Sequence, residues 1–453
     1  MTAFPDGFLW GAATSSYQIE GSPAADGKGP SIWDTFVGES GDTGEIACDH
    51  YRRWPEDVGL IEELGLNAYR FSIAWPRLLP TGRGRVERRG VDHYDRLIDA
   101  LLERGIEPVV TLYHWELPQA LEDEGGWLHR DTTERFAEFA ATCFDAYGDR
   151  VRSWLTINEP FVLGLLGYLH GLHAPGVKDD VLGEVTAFHH VLLAHGRAVQ
   201  EFRASGREGR IGIALSLSPH YPVSDSEADR EVSWASDGYV NRWFLDSLFR
   251  GSYPADVRRR YEDLVGPLDF VQERDLEVIA VPNDYLGINY YAPRVMRAVP
   301  GRTPYPWEVV VPDDVPTTDG GTDGVPRTEA GTPIMPGGLT DLLLRVRDDY
   351  GDLPILITEN GAVFCDPVHD ERRILFIQDH LVAVHDAIEQ GVPVIGYCHW
   401  SLLDNFEWAL GYAQRFGLIH VDYATQERTV KDSGRYYAQV ARANALVSSV
   451  GEA

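Results

Sequence analysis

Lysine is nearly missing from this sequence: Lys28, Lys178 and Lys431 are the only ones among forty basic residues, and seventy acidic residues leave a formal net charge of −30. A polyanion repels phosphates and has no counterions to release from them, which excludes nucleic acid and anionic membrane surfaces as partners. No stretch reaches the ~18 consecutive apolar residues of a membrane span. The first residues, Met1 to Trp10, lack the basic-then-apolar order of a secretory signal, so the cytoplasm is the expected compartment. Cysteine is scarce as well. Cys48, Cys143, Cys365 and Cys398 show no CxxC spacing, which argues against a zinc site or a disulfide framework and reads as four free thiols. His189, His190 and His195 share one segment without HExxH spacing and read as core histidines, not as metal ligands.

What is present describes a large globular chain. The 453 residues are 44% hydrophobic and 24% charged, a composition able to bury a large core. Length alone suggests roughly three domains at about 150 residues each, but α/β barrels exceed that figure as one domain. Periodicity decides the matter, because short β-branched or aromatic runs alternate with amphipathic stretches closed by Gly or Pro. The expected strands are Phe8–Ser15, Ala68–Trp75, Pro108–His114, Trp154–Asn158, Ile211–Ser216, Tyr285–Tyr290, Ile355–Thr358 and Val394–Trp400. Expected helices include Asp92–Arg104, Thr132–Tyr147, Glu184–Phe202, Leu339–Tyr350, Arg372–Glu389 and Ser433–Leu446. Eight βα units without a composition break predict an α/β fold, a single closed (β/α)8 barrel of the TIM type over residues 1–453. Two long βα-loop insertions stand out, Thr14 to about Pro55 and Pro293 to about Gly338, and loops of that length read as lids in preference to disordered linkers. The acidic, Gly-rich Asp319–Gly324 lacks EF-hand spacing and reads as a solvated loop.

In such a barrel the chemistry sits where strands end, and several ends here are polar. They read Leu112-Tyr-His-Trp-Glu116, Thr156-Ile-Asn-Glu-Pro160, Asn289-Tyr-Tyr291, Ile357-Thr-Glu-Asn-Gly361 and His399-Trp-Ser-Leu-Leu-Asp-Asn-Phe-Glu-Trp408. Glu159 and Glu359 thus end apolar strands with no basic neighbour in sequence. One reading pairs each with a barrel arginine such as Arg70, since a buried carboxylate without a cation is costly. The other takes them together: two carboxylates across a barrel mouth, ringed by Trp, Tyr, His, Asn and Gln, suit glycosidic bond cleavage, which needs one protonated and one ionised acid.

These motifs, with Phe8-Leu-Trp-Gly-Ala-Ala-Thr-Ser-Ser-Tyr-Gln-Ile-Glu-Gly21 and Arg415-Phe-Gly417, occur in an order and spacing that resembles the β-glucosidases of glycoside hydrolase family 1, from Phe8 to about Val440. The resemblance implies a retaining enzyme with Glu359 as nucleophile and Glu159 as acid/base, and with no metal and no cofactor. It implies that Asn158 binds the sugar 2-hydroxyl and that Tyr291 hydrogen-bonds the nucleophile. Gln18, His114, Asn289, Trp400, Glu407 and Trp408 are the other substrate-binding positions it implies. The expected ligands are small β-glucosides and short oligosaccharides, such as those of cellulose degradation, with galactosyl and fucosyl residues also accepted; a homo-oligomer stays open.

The resemblance departs at one place. Many bacterial members read Thr-Asp-Met-Gly-Trp where this chain reads Thr328-Glu-Ala-Gly-Thr332, so the aglycone platform Trp is replaced. Either the platform is vacant or Trp307, or another aromatic of the lid, fills it. Glu407-Trp408 is kept and no lysine follows before Lys431, which points away from 6-phosphoglycosides. A catalytically silent sugar-binding barrel is disfavoured by the presence of both glutamates, and a transglycosylase differs only in what attacks the shared intermediate.

Overall fold

The computed structural model describes residues 3–310 and 326–447. Eight parallel strands close into a barrel: β1 Leu9–Ala13, β2 Ala68–Ser72, β3 Glu107–Tyr113, β4 Ser153–Asn158, β5 Arg210–Ser216, β6 Tyr285–Asn289, β7 Ile355–Asn360 and β8 Val394–Trp400. Each pairs with its neighbours in sequence, and β8 returns to β1 with Leu9 opposite Gly396 and Ala13 opposite Trp400. Inward positions from the strands, among them Leu9, Ala68, Val109, Leu155, Leu356 and Cys398, form a separate cluster inside the barrel. A much larger cluster fills the layer between strands and helices.

The helices form for reasons visible in their patterning. In Arg88–Glu103 the buried residues Val91, Tyr94, Leu97, Ile98 and Leu101 recur at three and four, one stripe turned to the barrel. The 25-residue helix Val181–Ser205 is capped by Asp180, whose side chain accepts from Gly183 N at 2.7 Å, and stopped by Gly206 at φ +64°. Its histidines are engaged by neighbours. His189 meets Tyr253 Oη and Asp275 Oδ2, His190 the Trp127 carbonyl, and His195 the Thr156 hydroxyl. Among the described residues no group of three His, Cys, Asp or Glu could hold a metal ion, and no helix is long and apolar enough to cross a membrane. Cys48, Cys143 and Cys398 are buried and Cys365 is exposed, all four as free thiols.

Several boundaries differ from the sequence expectation. β7 runs on to Asn360, so Glu359 lies within the strand and not past its end. β2 stops at Ser72, and Trp75 begins the short helix Trp75–Leu78. The first insertion ends earlier, because the helix His50–Leu64 begins before Pro55 and carries that proline in its interior. The second insertion is partly ordered into sheet: Arg294–Ala298 and Trp307–Val310 pair antiparallel, with His220–Pro222 beside them. Asp319–Gly324 lies outside the described residues.

Candidate active site

Four strands bring the polar groups to the barrel mouth: β2 carries Arg70, β4 Asn158 with Glu159 next, β6 Asn289 with Tyr291 just beyond, and β7 Glu359. Strict alternation from the inward Leu356 would send Glu359 outward. Instead Ile357 pairs with Ile288 and Glu359 with the following Asn289, a bulge that turns the carboxylate back into the mouth. β4 shifts register between Leu155 and Asn158, and Glu159 follows at φ 48° as N-cap of the short helix Pro160–Gly164. That left-handed backbone costs about 1–3 kcal/mol in a residue with a side chain. It is held by the Glu159 N–H donating to the Ala214 carbonyl at 2.9 Å. Gly361 lets β7 end against β8, since a Cβ there would stand 1.9 Å from the Trp400 carbonyl oxygen.

The two glutamates sit in opposite surroundings. Glu359 accepts from Arg70 Nη1 on one oxygen and from the Tyr291 hydroxyl on the other, both at 2.6 Å. Arg70 is fully buried and spends its remaining donors on Thr111, the Thr358 carbonyl and Asn158 Oδ1. Glu159 receives a neutral donor, Asn289 Nδ2 at 2.8 Å. Burial, and then the charge of Glu359, push the Glu159 carboxyl up to about 8. The same two causes, in the same order, raise Glu407 to about 8. Burial, then the nearby charges of Glu359 and Glu159, keep the Tyr291 phenol protonated.

His114 is neutral, because burial and the Arg70 charge hold its pKa well below the usual imidazole range. Asn158 Oδ1 already accepts from Arg70 and Asn289, so its Nδ2 must donate to His114 Nε2 at 3.1 Å. The His114 proton is therefore on Nδ1, which has no partner among the described residues.

One cavity of about 340 Å³ collects these groups. Asn158, Glu159, Glu359, Tyr291, His114, Trp400, Glu407 and Trp408 line it. Two of the expected positions stand behind the wall. Asn289 is fully buried, donating to Glu159 and Asn158 and accepting from the Thr358 hydroxyl. Gln18 is fully buried behind Glu407: it accepts from Ser15 and donates to Asn405, to the Phe406 carbonyl and to Glu407. Trp307 does not reach the cavity; it packs on Tyr305 at 5.1 Å with Arg260 over its ring at 4.8 Å, while Thr332 is in the lining. The reading in which Trp307 fills the platform position is thereby corrected, because its own strand holds it against the auxiliary sheet. A protonated carboxyl and a charge-paired carboxylate opening on one cavity are equipped to donate a proton and to attack.

The sequence model of glycosyl hydrolase family 1 matches residues 1–446. The chain belongs to glycosyl hydrolase family 1. It is 45% identical to β-glucosidase A of Thermotoga maritima, with 98% of each chain covered. The bifunctional β-D-glucosidase/β-D-fucosidase of Bifidobacterium breve is 42% identical over 96% of this chain and 97% of its own. The solved structure of the Thermotoga maritima β-glucosidase in complex with deoxynojirimycin matches with a TM-score of 0.93 at 44% identity, covering 99% of this chain and 100% of that one. The activity of this family 1 chain is that of a β-glucosidase, carried on a TIM barrel.

Sequence reasoning missed some of the family 1 site. Arg70 entered only as one way to neutralise a glutamate, yet it joins β2 to both β7 and β4. A lone charge between the buried residues of Ala68-Tyr-Arg-Phe-Ser72 was the available signal.

Proposed function

We propose that this enzyme is a retaining, exo-acting β-glucosidase whose chain serves as one catalytic domain, working by double displacement with Glu359 as nucleophile and Glu159 as acid/base. The observation that carries the proposal is the contrast between the two carboxyls: Arg70 and Tyr291 compensate the charge of Glu359, while burial and that same charge keep a proton on Glu159. Glu159 donates its proton to the leaving oxygen as Glu359 attacks the anomeric carbon. Esterification then removes the Glu359 charge, so Glu159 gives up its proton more readily and becomes the base that activates water. Asn158, held by Arg70, presents its amide toward the sugar 2-position, and His114 Nδ1–H offers a further donor.

The glycone occupies the part of the cavity lined by Trp400, Glu407 and Trp408, with a pyranose C–H face against tryptophan. Small β-glucosides and short oligosaccharides are its substrates, and the likeness to a β-D-glucosidase/β-D-fucosidase supports fucosyl, and by extension galactosyl, residues as well. The sugar first formed from a β-glucoside, read by NMR before mutarotation, is expected to be β-glucose; α-glucose as first product overturns the mechanism.

A further inference from the structure

The bulge that turns Glu359 inward loosens β7 on both of its edges. Toward β6, Ile357 faces Ile288 while Glu359 faces the next residue, Asn289; toward β8, Ile357 faces Tyr397 and Asn360 faces His399, so three steps along β7 match two along β8. A bulge interrupts the ladder, and something else must hold the strand there. Asn360 stands at that point. By alternation with the inward Glu359 its side chain turns to the layer between strands and helices, where Tyr397 packs. It is fully buried, and an amide in such a place is costly unless bonded. Its Nδ2 donates to the Tyr290 carbonyl and its Oδ1 accepts from the Tyr397 hydroxyl, each at 2.7 Å. One side chain thus ties β7 to β6 on one edge and to β8 on the other. The Tyr290 N–H in turn donates to the Glu359 carbonyl at 2.9 Å, so both backbone polar groups of Tyr290 are held by β7. The next residue is Tyr291, whose hydroxyl donates to Glu359. Tyr397 is fixed from behind, because the Tyr437 hydroxyl, on the helix Asp432–Ala443, lies 3.0 Å from the Tyr397 carbonyl and 2.9 Å from that of Gly11.

We propose that Asn360, braced by Tyr397, is a positioning residue for the nucleophilic step: it holds the bulge and the Tyr290–Tyr291 peptide together, so that Glu359 and the hydroxyl that orients it keep one geometry. The inference rests on the reading of Glu359 as nucleophile. Asn360 acts through its neighbours, since it is not among the residues that line the cavity. Without its amide, β7 and Tyr291 are free to shift against one another, and attack on the anomeric carbon loses about 10² in rate for a displacement of 1 Å. Sugar binding depends on other segments. Trp400, Glu407 and Trp408 come from β8 and the loop after it, and none of them is bonded to Asn360.

The test is the rate at which 2-deoxy-2-fluoro-β-D-glucosyl fluoride traps the enzyme. In that step a Glu359 oxygen forms its bond to C1 while the C1–F bond breaks and fluoride leaves with the electron pair, a leaving group that needs little protonation from Glu159. Asn360→Ala is expected to lower the trapping rate by about tenfold or more, while Ki for glucose, which reports sugar binding alone, stays within about twofold. Tyr397→Phe keeps the ring and drops one bond. It should show the same split, with trapping slowed by about threefold or more. An unchanged trapping rate in either variant overturns the proposal, as does a parallel loss of trapping and glucose binding, which would mark a general loosening of the site. If Asn360→Ala fails to fold, Tyr397→Phe decides. Failure of the nucleophile reading would show in the wild-type enzyme instead, as a trapped glucosyl group mapped by peptide mass to a residue other than Glu359.

Discussion

Glu159 is the residue whose environment costs the fold most visibly. Folded, its carboxyl keeps a proton up to about 8, whereas an unfolded chain releases it near the ordinary 4.5. Stability from this group is therefore full below about pH 4.5 and declines as pH rises toward 8, at up to about 1.4 kcal/mol per unit. Glu159→Gln has no proton to hold, so its Tm advantage over wild type should grow between pH 5 and pH 8 when both are followed by calorimetry; a constant offset would contradict the assignment. The same substitution should abolish the fall in kcat/KM above about pH 8, because that limb is the loss of the general acid. Glu359 calls for a different experiment. Glu359→Gly removes the attacking oxygen and leaves the binding groups, so turnover should drop by about 10⁴ or more. Added azide should restore it with an α-glucosyl azide as product, and a β-configured product would exchange the roles of the two glutamates.

At the scale of elements, the loop Thr328–Thr332 sets the outer edge of the cavity. Thr332 presents a methyl and a hydroxyl where a tryptophan would present a wide apolar face. Among the described residues no aromatic of the second insertion lines the cavity, so Thr332→Trp should raise cellobiose turnover relative to an aryl glucoside by about three- to tenfold, the worth of one stacking contact. An unchanged ratio in steady-state assays would mean the space is already filled. This loop also marks the limit of what sequence could tell. The eight barrel strands were legible because buried parallel strands are short apolar runs bounded by Gly and Pro, and Glu159 and Glu359 were legible as charges ending such runs. The bulge that turns Glu359 inward was not, because register is settled by pairing between strands, and no local pattern in Ile355–Asn360 records it. The auxiliary sheet was missed for a related reason: His220–Pro222 has three residues, too few for a period of two to declare itself. Gln18 was expected as a sugar ligand from its motif, and its bonds to Ser15, Asn405 and Glu407 emerge only when β1 and β8 close the barrel.

The charge of the whole molecule bears on one substrate choice. A glucoside 6-phosphate carries a charge of about −1.5 to −2 near neutral pH. It would meet Glu407 in the cavity lining and, beyond it, the field of a protein with a net charge of −30. Among the described residues no lysine lines the cavity. Lys431 is fully buried and bound to Asp404 at 2.7 Å, and Lys28 is buried against Asp34 at 2.8 Å. A phosphate desolvated beside the Glu407 carboxyl with no cation to pair it costs several kcal/mol, so kcat/KM for an aryl β-glucoside should exceed that for its 6-phosphate by about 10³ or more. The two contributions separate by ionic strength. Desolvation of the phosphate beside Glu407 is a local cost that salt does not screen, whereas the long-range field acts over distances that a Debye length of about 10 Å at 0.1 M cuts off. Raising salt from about 0.02 to 0.3 M should thus improve the phosphorylated substrate a fewfold and leave the neutral glucoside unchanged. An equal salt response of both substrates would remove the long-range field from the explanation. A preference for the phosphorylated one would show that a cation reaches the sugar 6-position after all.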